Sequence, residues 1–178
     1  MPDVKPLGTN DPVVIGPYRL LGVLGSGGMG RVYLGTSNTG RRVAIKIIRP
    51  DLAEDPIFRA RFAREVAAAR LVSPLFTAAV VDADTLAAEP WLATTYIDGI
   101  GLDRQVLSHG PLRGPAVLDL AAGVAEALTS IHGAGLVHRD LKPSNILLNA
   151  TGPHIIDFGL ALSPEHVRMT TSLVFGTP

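Results

Sequence analysis

The stretch that most limits what this chain can fold into is Val137-His138-Arg139-Asp140-Leu141-Lys142-Pro143-Ser144-Asn145, with Asp157-Phe158-Gly159 beginning twelve residues beyond Asn145. Asp140, Lys142 and Asn145 are polar residues suited to phosphate chemistry, set at odd offsets in a short loop. Pro143 breaks any helix through that loop. The apolar runs Ile146-Leu147-Leu148 and Ile155-Ile156 flank Thr151-Gly152-Pro153, which supplies a turn. The pattern therefore predicts a loop hung between a helix and a two-stranded ribbon, with carboxylates at its ends. A lone His-Arg-Asp is an ordinary helix-end salt bridge; the longer run is far more restrictive.

Upstream, residues 18–24 and 32–34 read as strands around Gly25-Ser26-Gly27-Gly28-Met29-Gly30. Glycines there permit positive φ and let backbone amides approach a phosphate. Three spaced glycines also make an ordinary hairpin tip. A dinucleotide site would need a helix opening at the last glycine, whereas Arg31-Val32-Tyr33-Leu34 continues as a strand. Val43-Ala44-Ile45-Lys46-Ile47-Ile48 is a further strand, and its lysine, taken alone, suits a solvated edge. Residues 56–71 are rich in helix formers, with Asp55 as N-cap. Glu65 shares a face with Phe58 and Phe62, and its simplest partners are Arg61 and Arg64. Residues 76–82 and 91–96 complete the strands, and Asp98-Gly99 reads as a turn.

The second half opens with a short helix over residues 102–108, ended by Gly110-Pro111-Leu112. Pro115 starts a long helix whose stripe is Leu118, Ala121, Ala122, Ala125, Leu128 and Ile131, ending at His132-Gly133. His109, His132, His154 and His166 have no spacing that suggests a metal. Sixteen Lys plus Arg balance sixteen Asp plus Glu, which gives no electrostatic reason to expect nucleic acid or an anionic membrane as partner. Zero cysteines exclude disulfides and thiolate chemistry and fit a cytoplasmic setting. The first ten residues lack the apolar core of a signal peptide. The most apolar long segment, residues 116–131, is interrupted by Asp119 and Glu126, so no membrane segment is expected.

His138 through Asn145 plus Asp157-Phe158-Gly159 resembles the catalytic and metal-binding loops of bacterial, eukaryotic-like (Hanks-type) serine/threonine protein kinases. The glycine loop and Val43-Ala44-Ile45-Lys46 are similar to that family's nucleotide clamp. The resemblance implies an α+β, bilobal, protein kinase-like fold. A flexible leader (1–17) would precede an N-lobe (18–97) with a five-stranded antiparallel sheet and one helix. An incomplete, mainly helical C-lobe (98–178) would follow. It implies ATP and Mg2+ as cofactors and Ser/Thr hydroxyls of proteins as acceptors. Asp140 would orient the hydroxyl and accept its proton, and Lys142 would neutralise charge on the γ-phosphate. Asn145 and Asp157 would hold magnesium. Lys46 would grip the α- and β-phosphates and pair with Glu65. Leu24, Gly25, Gly27 and Gly30 would cover the nucleotide, and Val32, Ala44 and Leu147 would enclose the adenine. Thr94 would limit the depth of the pocket; Thr95 and Ile97 would offer backbone contacts. His138 and Phe158 would stack between the lobes. Thr170 and Thr171 are the implied phosphorylation sites, with Arg139 positioned to pair a phosphate.

The resemblance runs to Pro178, short of the family's Ala-Pro-Glu motif, so a fragment or a truncated catalytic domain is expected, with apolar helix surface that favours self-association. Two readings follow: a serine/threonine kinase, or a nucleotide-binding regulatory module of the same fold without turnover. The complete set of Lys46, Glu65, Asp140, Asn145 and Asp157 favours the first.

Overall fold

The computed structural model describes residues 4–158; residues 1–3 and 159–178, which include Thr170 and Thr171, lie outside the described residues. The chain begins with strands β1 (Val14–Ile15), β2 (Tyr18–Gly27), β3 (Gly30–Thr36) and β4 (Arg42–Ile48). Helices α1 (Pro50–Ala53) and α2 (Pro56–Ala69) and strands β5 (Val80–Asp84) and β6 (Trp91–Thr95) complete the upper lobe. These strands form one antiparallel sheet in the order β1-β2-β3-β4-β6-β5. The sheet has six strands rather than the expected five, because Val14–Ile15 folds back on Tyr18 and Arg19. The one-turn α1 is a second helix that the sequence pattern did not reveal.

Alternation along β4 sorts its side chains. Val43, Ile45 and Ile47 join Tyr18, Leu20, Tyr33, Trp91 and Ala93 in one core, while Ile48 packs with Phe58, Phe62 and Val66 of α2 in another. Ala44 and Lys46 therefore share the α2 side of the sheet. Asp55 caps α2 by accepting from the Ile57 amide at 2.8 Å.

The strand expected at residues 76–82 begins only at Val80. Its first half is diverted to the lower lobe: the Ile155 amide donates to the Phe76 carbonyl (2.8 Å) and the Ala78 amide to the Ile155 carbonyl (3.2 Å). This pairing stitches the lobes together.

The lower lobe continues with β7 (Ile100–Gly101), α3 (Leu102–His109), α4 (Pro115–Gly133), β8 (Ile146–Asn149) and β9 (Gly152–Ile155). The expected ribbon is β8–β9, extended to three strands by β7, and the turn falls at Ala150-Thr151. The buried side of α4 keeps Ile131 and, in part, Leu128 of the expected stripe and otherwise departs from it. Gly123, Ala127 and Ile131 face the core, whereas Leu118 is 71% exposed. Apolar residues occur nearly all round this helix, so periodicity could not choose the face. Gly123 does: a Cβ there would overlap the Pro153 ring, so its absence lets α4 lie close on β9. A third core of Ala69, Val72, Ala127, Ile131, Leu136, Ile155 and Phe158 joins α2 to the lower lobe.

The leader is also ordered where described. Lys5 pairs with Val23 of β2, and the Leu20 amide donates to the Val13 carbonyl at 2.9 Å. Backbone bonding to the sheet edge replaces the flexibility expected of residues 4–17.

Candidate active site

The seam between the lobes is hollow. A cleft of about 640 Å3 has Leu24, Gly25 and Val32 above, Ile97 at the connection, and Leu147 and Asp157 below. A smaller pocket of about 40 Å3 lies behind it among Val32, Ala44, Lys46, Thr94 and Asp157. The structure thus gathers most of the expected nucleotide contacts on one seam. Gly27 and Gly30 line a separate groove of about 510 Å3 that also includes Asp11, Arg31 and Tyr33. A Cβ on Gly30 would overlap the Ile47 carbonyl oxygen, so this glycine serves strand packing. Thr95 lines neither hollow; its hydroxyl accepts from Arg41 Nη2 at 3.2 Å. Its backbone closes the sheet, with its amide donating to Ala79 at 2.8 Å.

The connection between lobes is braced by Arg42, which bonds Asp98 at 3.2 Å and lies 5.0 Å over the Tyr96 ring. Tyr96, Asp103, Arg104 and Ser144 also line the cleft. Sequence reasoning gave none of these four a role: no motif distinguishes Tyr96, Asp103 and Arg104 from surface residues of a short helix and its flanks, and Ser144 lies inside the catalytic-loop motif without a part of its own.

Leu136 and His138 anchor the catalytic loop in the interior. His138 Nε2–H donates to the Ile156 carbonyl (3.1 Å), and its Nδ1 accepts from the Asp140 amide (3.3 Å). A carbonyl can only accept, so the two bonds require the neutral Nε2–H tautomer. Burial pushes the imidazole pKa down, in agreement. Residues 143–145 form a 3-10 turn that turns Asn145 inward, 8% exposed. Its Nδ2 donates to the Asp140 carbonyl at 2.8 Å and to Asp140 Oδ2 at 3.2 Å. Lys142 Nζ bonds the same Oδ2 at 2.7 Å. The Lys142 ammonium, with a smaller contribution from Asn145, holds the Asp140 carboxyl below its usual range.

Across the seam the charges pair otherwise than expected. Lys46 bonds Asp157 at 3.5 Å, and Glu65 bonds Arg139 at 2.7 Å. The expected Lys46–Glu65 ion pair is not among the bonds of the described residues. Arg139 adopts a left-handed backbone (φ 62°), as does Asp157 (φ 58°), and each side chain engages an upper-lobe partner. Glu65 is buried, and its Oε2 has no hydrogen-bond partner among the described residues. Burial pushes its carboxyl pKa up, and Arg139 opposes this.

The donor set fits magnesium. With Nδ2 of Asn145 committed to Asp140, its Oδ1 is left as an oxygen donor, and the Asp157 carboxylate on the cleft wall is a second. Two protein oxygens suit a cation that keeps water and phosphate in the rest of its shell. The described residues hold no cluster of three or more His, Asp or Glu suited to a metal.

A curled antiparallel sheet with one main helix, seated on a lobe that carries a His-Arg-Asp loop, with a largely apolar cleft between them that Asp157 also lines, defines a kinase-type phosphotransfer scaffold. Residues 18–178 match the family described as protein kinase domain. The chain belongs to that family. It is 59% identical over 176 residues to the serine/threonine-protein kinase AfsK of Streptomyces coelicolor, a match covering 98% of this chain and 22% of that protein. It is 37% identical to the serine/threonine-protein kinase PknB of Mycobacterium leprae, covering 95% of this chain and 28% of that one. A crystal structure of the Mycobacterium tuberculosis PknI kinase domain superposes with a TM-score of 0.72 at 32% identity, covering 89% of this chain and 65% of that one. The chain spans about a quarter of the length of these curated relatives. No helix among the described residues is long and apolar enough to cross a membrane.

Proposed function

We propose that this chain carries the nucleotide-binding and catalytic elements of a protein serine/threonine kinase that transfers the ATP γ-phosphoryl group to Ser/Thr hydroxyls of protein substrates. The observation that carries this reading is the joined set Asp140, Lys142 and Asn145, fixed by mutual bonds of 2.7 to 3.2 Å, below a cleft whose lining includes Asp157. Asp140 is ionised and positioned by Asn145, so it orients an acceptor hydroxyl and takes its proton as transfer proceeds through a loose transition state. Its depressed pKa suits orientation more than strong basicity. Lys142 is half exposed and its ion pair is of the weak surface kind, so it can swing to a γ-phosphate at little cost. Asn145 Oδ1 and the Asp157 carboxylate are the groups that would hold magnesium, which would supply charge neutralisation at the phosphates.

Lys46 reaches phosphates from above. Glu65 becomes its support when Arg139 releases it, and phosphorylation at Thr170 or Thr171 would supply the competing anion. Leu24, Gly25, Val32, Ala44, Thr94, Ile97 and Leu147 hold the base and ribose side of ATP; Gly27, Gly30 and Thr95 shape the backbone around it. A cytoplasmic location and self-association through the exposed Val117 and Leu118 of α4 belong to the same reading.

Radiolabelled phosphate transfer to a generic basic protein, with Asp140→Asn as control, tests it. Transfer that falls at least about 100-fold in Asp140→Asn is expected. Undiminished transfer by that variant refutes the assignment. Magnesium-dependent stabilisation by ATP without any transfer in a C-terminally longer chain would establish the alternative, a nucleotide-binding module without turnover.

A further inference from the structure

We infer that Asp11, outside the matched kinase domain, is a positioning residue that pins the glycine-rich hairpin from the outer face of the sheet and so sets the affinity for ATP. The inference rests on the kinase reading of the cleft. Leader residues run antiparallel along the free edge of β2: Lys5 and Val23 exchange backbone bonds of 2.9 and 2.8 Å, and Val13 accepts from Leu20 at 2.9 Å. Between these fastenings a turn closes, with the Asp11 amide donating to Gly8 at 3.0 Å and the Gly8 amide to Asp11 Oδ2 at 2.7 Å. The turn delivers the carboxylate to β3. Oδ1 accepts from the Tyr33 hydroxyl at 2.7 Å and from Arg31 Nη1. Although it sits on a surface segment, the Asp11 side chain is only 4% exposed.

The position of this pin gives it consequence. Arg31 and Tyr33 lie on the face of β3 away from the cleft, Tyr33 with its ring in the core beside Val43 and Ile45, and Val32 between them lines the cleft, opposite Lys46. Asp11 therefore grips the two residues that flank a wall of the nucleotide slot. The far end of the hairpin is held separately, by Arg49, whose amide donates to Met29 at 2.9 Å and whose Nη1 donates to Gly28 at 3.2 Å. Without Asp11 the backbone of β3 keeps its ladders to β2 and β4, but the side-chain anchor on the two residues either side of Val32 is lost. A second observation shows how tightly the leader is laid down. A Cβ on Gly22 of β2 would meet Val4 Cγ1 at 2.5 Å and the Lys5 carbonyl oxygen at 2.7 Å. Gly22 is thus a seat for the strap.

Two variants follow. Asp11→Asn removes the charge that Arg31 pairs with; Gly22→Ala lifts the strap without touching the pin. Both are measured in the full chain for ATP KM, protein-substrate KM, kcat and melting temperature, with Lys46→Met as reference. If the competent hairpin falls to between a third and a tenth of the population, ATP KM rises about 3- to 10-fold while kcat stays within about twofold. The double variant should be no worse than the stronger single, since both act through one strap. A lowered melting temperature with ATP KM unchanged in both variants overturns the inference and leaves the leader a purely structural edge cover, as does a fall in kcat alone. Should Lys46→Met bind and turn over ATP like the parent, the kinase reading fails first and the inference goes with it.

Discussion

Substituting alanine at each of the three loop glycines should separate architecture from ligand binding. At Gly30 (φ 153°) a Cβ would overlap the Ile47 carbonyl oxygen, lie 2.9 Å from the Ile47 carbonyl carbon, and lie 3.4 Å from the Arg49 amide nitrogen. All three atoms are backbone, so no rotamer relieves the clash. β3 must back away from β4, breaking the Gly30–Ile48 end of the ladder and the Arg49-to-Met29 bond. Overpacking of this kind costs about 1–3 kcal/mol, and one or two lost backbone bonds add about 0.5–1.5 kcal/mol each. For a chain of this size that lowers the melting temperature by roughly 3–24 °C. At Gly27 a Cβ meets nothing within 4 Å and φ is ordinary, so alanine should be neutral or stabilise by about 0.4–1 kcal/mol. Gly25 is equally open but lines the cleft, so alanine there should weaken ATP binding at unchanged stability. Thermal unfolding without nucleotide, paired with ATP titration, reads both quantities. A Gly30→Ala protein that melts with the parent, or a Gly27→Ala protein that falls as far, refutes the division.

Two pH dependences follow from the buried groups. Removing Arg139 (Arg139→Gln) leaves Glu65 without its partner, and because Arg139 is about a third exposed the penalty is discounted to about 1–3 kcal/mol. Glu65 already has a raised folded-state pKa, and a raised carboxyl contributes stability below its unfolded value, about 4.3, that is lost as pH rises through the folded value. The variant's penalty by urea unfolding should therefore be larger at pH 8 than at pH 5; equal penalties would show that Glu65 does not carry it. His138 has a depressed folded-state pKa, so its contribution is full above about 6.5 and is lost as pH falls towards the folded value. His138→Phe should lose less stability than the parent on acidification, by up to about 1.4 kcal/mol per pH unit below pH 6.5. Comparing variant with parent cancels the similar titration of buried His154, and identical acid slopes would refute the role of His138.

Features local in sequence were legible: the Asp55 cap, the start of α4 at Pro115, the β8–β9 ribbon and the loop from His138 to Asn145 each follow from adjacent residues. Features set by a distant partner were not. Phe76 carries strand propensity, and only Ile155, far along the chain, draws its backbone out of the upper sheet. The α4 face depends on Gly123 meeting Pro153, a complementarity that no helical period encodes. Glycine spacing brought Gly25, Gly27 and Gly30 into one motif, yet Gly30 answers to the backbone of β4. Asp11 had no local signature at all. Its partners Arg31 and Tyr33 become visible only once β2 and β3 are paired and the leader is folded back over them.

The cross-lobe charges would let the seam take a second arrangement besides the one observed. Arg139 and Asp157 are the non-glycine residues with positive φ among the described positions, and such a backbone costs of order 1–3 kcal/mol. Each holds one charged side chain of the upper lobe, so part of that cost is offset by the two bonds. The offset is incomplete, because Glu65 Oε2 stays buried and unpaired, a penalty of about 1–3 kcal/mol. Exchanging partners so that Lys46 meets Glu65 keeps net charge constant and can satisfy that oxygen. The groups released, Arg139 and Asp157, are 36% and 42% exposed, so water solvates them at modest cost. Terms of similar size thus oppose each other, and the balance is tipped by any ligand that offers Arg139 an anion or Asp157 a cation. Phosphate and magnesium are ligands of those two kinds, so the chemistry proposed for the cleft and the choice between its arrangements draw on the same charged groups.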